Sequence, residues 1–91
     1  MKDIEQLIKT GNATIIDVRN PQEYNGGHVA GSINIPLIDI TNKIDELKEM
    51  KNIVLCCLSG GRSARAADLL KRFGVECYDG GPWTIVNQYY N

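Results

Sequence analysis

The apolar run Ile53-Val54-Leu55 delivers two cysteines, Cys56 and Cys57, into the loop Leu58-Ser59-Gly60-Gly61, and Arg62-Ser63-Ala64 then opens a stretch rich in helix formers. A strand that ends on a thiol, turns through glycines and starts a helix leaves few architectures open. Ile53 to Cys56 is apolar on both sides, which suits the middle of a parallel sheet covered on both faces.

The rest of the chain keeps up the same alternation. Asp3-Ile4-Glu5-Gln6 reads as an N-cap with its capping-box partner, Ile4, Leu7 and Ile8 share one helical face, and Gly11 fits the position after the helix. Ala13 to Val18 is a short β-branched run, hence a strand. Asn20 can cap, Pro21 suits the first helical position and Glu23 sits three residues after the cap, so one helical turn ended by Gly26-Gly27 is expected. His28 to Ser32 reads as loop and Ile33-Asn34-Ile35 as a very short strand stopped by Pro36. Ile40, Ile44, Leu47 and Met50 recur at helical spacing, with a start at Thr41 or Asn42. After the glycine loop, a helix from Ser63 to Phe73 stops at Gly74. Val75 to Tyr78 reads as the last strand, Gly80-Gly81-Pro82 as a turn, and Trp83 to Asn91 as a short amphipathic tail. Strand and helix alternating in this way predict an α/β fold, a three-layer α/β/α sandwich around a small parallel sheet of four or five strands. At 91 residues the chain is expected to form a single domain over 1–91.

Composition removes several function classes. Hydrophobic residues make up 43% and charged residues 23%, with a formal net charge of -1 and no cluster of Lys or Arg, so no nucleic-acid partner is expected. Apolar runs are about six residues long, against the roughly 20 that span a bilayer. Met1-Lys2-Asp3-Ile4-Glu5 has no signal-peptide character, and a cytoplasmic location without membrane contact is the expectation. Three cysteines, an odd number, argue against a disulfide framework. Adjacent Cys56 and Cys57 do not fit zinc-ligand spacing, and with one His in the chain neither a metal nor another cofactor is expected. The cysteines are therefore either core fillers or chemistry.

The chemistry that such a loop suits is that of an activated thiolate. The thiolate, not the thiol, is the nucleophile, and a free thiol is mostly protonated near neutrality. A helix N-terminus with converging backbone N–H groups favours the anion, and glycines let those groups approach. Two registers compete: Cys57-x4-Arg62 and Cys56-x5-Arg62-Ser63, the second being the formula of cysteine-dependent phosphatases.

The ordered pieces Ile16-Asp17-Val18-Arg19, Glu23-Tyr24, Gly27 to Pro36 (Gly-His-Val-Ala-Gly-Ser-Ile-Asn-Ile-Pro), Cys57 to Ser63, and Gly80-Gly81 with Trp83 resemble a single-domain rhodanese, a sulfurtransferase. The likeness covers about residues 12 to 83. It implies a six-residue active loop headed by Cys57, in which Leu58, Ser59, Gly60, Gly61, Arg62 and Ser63 hold substrate and persulfide. Gly60 falls where the family pattern asks for glycine, whereas the phosphatase register would put Ser59 there and lacks a Trp-Pro-Asp acid. Relatives usually carry a short strand before the first helix, and here that edge strand is expected to be reduced or missing. Relatives that use thiosulfate often have a basic residue after the cysteine, and here it is Leu58.

The implied activity is a ping-pong transfer. Cys57 takes a sulfane sulfur from thiosulfate, polysulfide or a protein persulfide and passes it to a thiol or cyanide-type acceptor. A phosphatase or arsenate reductase working from Cys56, and a non-catalytic sulfur-carrier or redox-sensing module, are the alternatives. Asp17, Arg19, Glu23 and His28 are the supporting residues. Arg62 either binds an anionic donor or ties the loop to a carboxylate such as Asp17 or Glu23. Ser59 and Ser63 either offer hydroxyls to the bound sulfur or, for Ser63, serve the start of the helix. Arg19 suits a structural salt bridge better than a substrate contact, His28 is a loop-shaping residue rather than half of a Cys–His dyad, and Cys77 is a core filler rather than a resolving thiol.

Overall fold

The computed structural model describes residues 4–90, so the expected cap at Asp3 lies outside the described residues. Helix α1 (Ile4–Lys9) buries Leu7 and Ile8 and leads into β1 (Thr14–Asp17). Helix α2 (Pro21–Asn25) forms as its capping signals require: Asn20 Oδ1 accepts the Glu23 N–H at 3.1 Å, and Glu23 Oε1 accepts the Asn20 N–H at 3.3 Å. Strand β2 is only Ile33–Asn34. β3 (Ile53–Cys57) runs one residue past the expected end, and all five of its residues are buried. Helix α4 (Gly61–Arg72) begins two residues before Ser63.

Two stretches differ from the expectation. No helix starts at Thr41 or Asn42; a 3-10 segment, Leu37–Lys43, comes first and gives way to α3 (Ile44–Lys48). The Leu37 N–H is bonded to Val18 O, and Asp39 N–H reaches back to Pro36 O at 2.8 Å, which winds the chain tightly as soon as it leaves the proline. An i, i+3 repeat fits either winding, and Ile40 and Leu47 are both fully buried. The last strand, β4, is Cys77–Pro82 and not Val75 to Tyr78, so the expected turn Gly80-Gly81-Pro82 is strand. The tail after it is helix α5 (Trp83–Gln88).

The four strands lie in the order β2-β1-β3-β4, all parallel. β3 is central, as its apolar run demands, and no further edge strand precedes α1 among the described residues. Two apolar clusters sit on opposite faces of the sheet. One joins Ile16, Ile53, Leu55 and Cys57 to α4 and the 3-10 segment; the other joins Ile15, Val54 and Cys56 to Ile8 of α1 and Val86 of α5. This is the three-layer sandwich. Because successive strand residues point to opposite faces, the two adjacent cysteines are divided between the layers.

Between β3 and β4 the register slips. Leu55 pairs with Asp79 but Cys57 with Pro82, so β4 carries one extra residue beside Cys56. The Asp79 carboxylate accepts the Gly81 N–H at 3.0 Å across this bulge. Gly80 has to be glycine, since a Cβ there would stand 2.8 Å from Leu55 O and 2.9 Å from side chains of Val54 and Val86.

Candidate active site

The end of β3, the start of α4 and the end of β1 meet at the carboxyl edge of the sheet, where open α/β sheets place their sites. Cys57 points to the α4 side. Its Sγ accepts the Gly60 N–H at 3.0 Å and lies 3.4 Å from Ser63 Oγ. Gly60 makes the turn with φ 109°, a left-handed conformation that costs other residues strain. Burial opposes ionisation of Cys57, but the Ser63 hydroxyl and the backbone N–H groups of Ser63, Gly60 and Arg62 outweigh it and lower the thiol pKa. Cys57 is only 1% exposed. A Cβ on Gly60 or Gly61 would meet nothing within 4 Å.

Cys56 is its opposite. It lies fully buried among Ile8, Ile15, Val54 and Val86, and burial, reinforced by the charge of Asp17, pushes its thiol up to about 12. The Cys56-x5-Arg62 register of a phosphatase therefore has its sulfur on the far side of the sheet from the loop.

The charged residues pair off. Arg62 forms a bidentate bridge to Glu23, Nη1 to Oε1 at 2.6 Å and Nη2 to Oε2 at 2.9 Å, which ties the loop to α2. The bridge, opposed in part by desolvation, holds the Glu23 carboxyl at about 2. Arg19 grips Asp17 through Nε and Nη2 and donates to Gly27 O at 2.7 Å; its guanidinium also lies over the Trp83 ring at 4.9 Å. Both members of this pair are buried. His28 is exposed, with its Nδ1 2.7 Å from Tyr24 O and its ring stacked on that of Tyr24. Cys77 sits at the other end of the sheet, level with Ile53, with its S–H directed at Ala67 O. Leu58 and Ser59 are exposed at the rim, Leu58 at 56%.

Some participants were not singled out from the sequence. Asn34 donates to Asp17 O and Arg19 O, both at 2.9 Å, and so clamps the turn after β1. A shallow groove of about 410 Å³ runs beside the loop, lined by Val18, Asn20, Leu37, Ile38, Arg62 and Arg65 among others. Asn34 fell within a recognised stretch but carried no chemical signal of its own. The groove depends on Leu37 and Ile38 of the 3-10 segment, which lie ahead of the helix expected from Thr41 or Asn42.

A cysteine sulfur held by backbone N–H groups at a helix start, in this strand order, has a counterpart among known families: the chain matches the profile of the Rhodanese-like domain over residues 1–82. The chain belongs to the rhodanese-like family. It is 42% identical over 68 residues to the uncharacterized protein YqhL of Bacillus subtilis, covering 74% of this chain and 54% of that protein. It is 38% identical over 61 residues to the thiosulfate sulfurtransferase PspE of Escherichia coli, covering 65% of this chain and 59% of the other. Aligned residues thus span little more than half of either relative. Among solved structures, a rhodanese-related protein of Thermoplasma volcanium superposes with a TM-score of 0.78 at 32% identity, covering 98% of this chain and 89% of that one. The rhodanese-like fold accounts for the four-stranded parallel sheet. No helix among the described residues is long and apolar enough to cross a membrane.

Proposed function

We propose that this rhodanese-like chain is a sulfurtransferase that carries sulfur on Cys57. The observation behind the reading is the Cys57 sulfur at the mouth of α4, its pKa lowered by the Ser63 hydroxyl and by backbone N–H groups at Ser63, Gly60 and Arg62. In the first half-reaction the thiolate attacks the outer sulfur of a donor. A new S–S bond forms on Cys57, and the donor's own S–S bond breaks, its electron pair leaving with the departing group (sulfite, when thiosulfate is the donor). The terminal persulfide sulfur is again an anion, so the same N–H groups suit it. A thiol or cyanide-type acceptor then attacks that sulfur and returns Cys57 as thiolate. The kinetic form is ping-pong.

The test is sulfur transfer to cyanide, with donor and acceptor varied in turn. Cys57→Ser is expected to abolish turnover and to abolish the gain of one sulfur atom by intact mass after polysulfide treatment. Cys56→Ser is expected to keep a good part of both. A Cys56→Ser variant that is dead but folded, beside an active Cys57→Ser, would overturn the assignment.

A further inference from the structure

The loop from Cys57 to Ser63 contains a single charged residue, Arg62. Its guanidinium does not stand free to meet a substrate. Each terminal nitrogen gives one N–H to Glu23, in a parallel bidentate pair whose carboxylate offsets the guanidinium charge. Arg19 is equally committed to Asp17 and is buried. The residue after Cys57, which overlooks the mouth, is the exposed and apolar Leu58. What holds negative charge at the sulfur is therefore a set of backbone dipoles and one hydroxyl, enough for one anionic sulfur atom. A doubly charged donor brings a second charge that has no cation waiting for it.

Resting on the sulfurtransferase reading, we infer that Glu23 is a donor-selecting residue: by engaging Arg62 it withholds the loop's one cation, and the site takes sulfane donors carrying at most one charge, such as hydropersulfides and organic polysulfides, in preference to the thiosulfate dianion. Glu23 acts through Arg62 and is a positioning residue. Its carboxyl, held at about 2, stays ionised throughout any neutral assay, so the lock does not open with pH in the working range. Arg65, which also lines the groove, lies one turn further along α4 and is the other cation that a dianion could reach.

Two donors of the same shape separate charge from fit. Methanethiosulfonate replaces one oxygen of thiosulfate by a methyl group and carries one charge instead of two; it leaves as methanesulfinate where thiosulfate leaves as sulfite. Steady-state kinetics of the full chain with cyanide as acceptor are expected to show a lower KM for the monoanion. Glu23→Gln keeps a side-chain oxygen to cap the Asn20 N–H while releasing Arg62. It is expected to lower the KM for thiosulfate by about tenfold, with much less effect on methanethiosulfonate and on kcat, and added salt should erode the gain. Leu58→Arg, which leaves the Glu23 bridge in place, should also favour thiosulfate and covers the case in which Glu23→Gln is unstable.

Equal changes for both donors, or a fall in kcat with no gain in KM, would mean that Glu23 merely holds the loop to α2. A thiosulfate KM that depends on Arg65→Ala and not on Glu23→Gln would likewise overturn the inference. Failure of the underlying reading looks different: wild-type Cys57 would then gain no sulfur from thiosulfate, methanethiosulfonate or polysulfide.

Discussion

Cys56 and Cys57 are neighbours of one residue type, yet their thiols are driven in opposite directions. For Cys56, burial and the charge of Asp17 outweigh the opposing charge of Arg19, while Cys57 is given hydrogen bonds that outweigh its burial. Ser63 is the one side chain hydrogen-bonded to the Cys57 sulfur and lowers its pKa, so Ser63→Ala should raise it. Alkylation of Cys57 followed against pH should shift to higher pH and slow several-fold at neutrality; an unchanged profile would assign the whole effect to backbone N–H groups. The linkage to folding has a definite sign. A thiol whose pKa is lowered in the folded chain adds stability above the ordinary thiol pKa, and that increment fades as pH falls through the folded value.

At the scale of elements, the β3–α4 loop is aimed by its neighbours. The extra residue in β4 sits beside the last turn of β3, and Gly80 lets β4 lie against Leu55 O. Gly80→Ala forces a Cβ to 2.8 Å from a backbone oxygen that cannot swing aside. A loss of about 1–3 kcal/mol is expected, read as a fall in thermal midpoint, with sulfur transfer weakened as the strand shifts. Gly61→Ala is the contrasting variant. Its Cβ would meet open space in the first turn of α4, so stability should hold or rise slightly. The bulge was hidden because Asp79-Gly80-Gly81-Pro82 has the composition of a turn. Only the neighbouring strand turns it into an irregular ladder.

The molecule as a whole is drawn together on Asp17 and Arg19. The pair connects the end of β1 to the Gly27 carbonyl in the loop after α2 and to Trp83 at the start of α5. Asp17→Ala leaves the guanidinium of a buried Arg without its counter-ion, at an expected cost of about 3–5 kcal/mol, measurable as a lower urea midpoint. The exposed pair Asp68–Arg72, at a similar 2.9 Å, should contribute less than about 1 kcal/mol by the same measurement. Equal losses would show that burial is not what makes the first pair matter.

Legibility followed the range of the interactions. The α2 capping box, the central place of β3 and the start of α4 from the glycine loop are set by residues within a few positions of one another, and they could be read directly. So could the alternation of strand and helix, and with it the three layers. Spacing alone did not decide the partner of Arg62: Asp17 and Glu23 were both within reason, and a substrate anion as well. Glu23 lies 39 residues away and comes within 2.6 Å only because α2 packs beside the mouth of α4. The split between Cys56 and Cys57 stands between these cases, since alternation is a property of the strand but which face carries the α4 loop is a property of the fold. The chain's local pattern carried most of the elements, though not the 3-10 segment or the bulged β4, and put a thiol ahead of a helix; packing chose which charges that thiol sees, because ion pairs form between side chains that only the fold brings together.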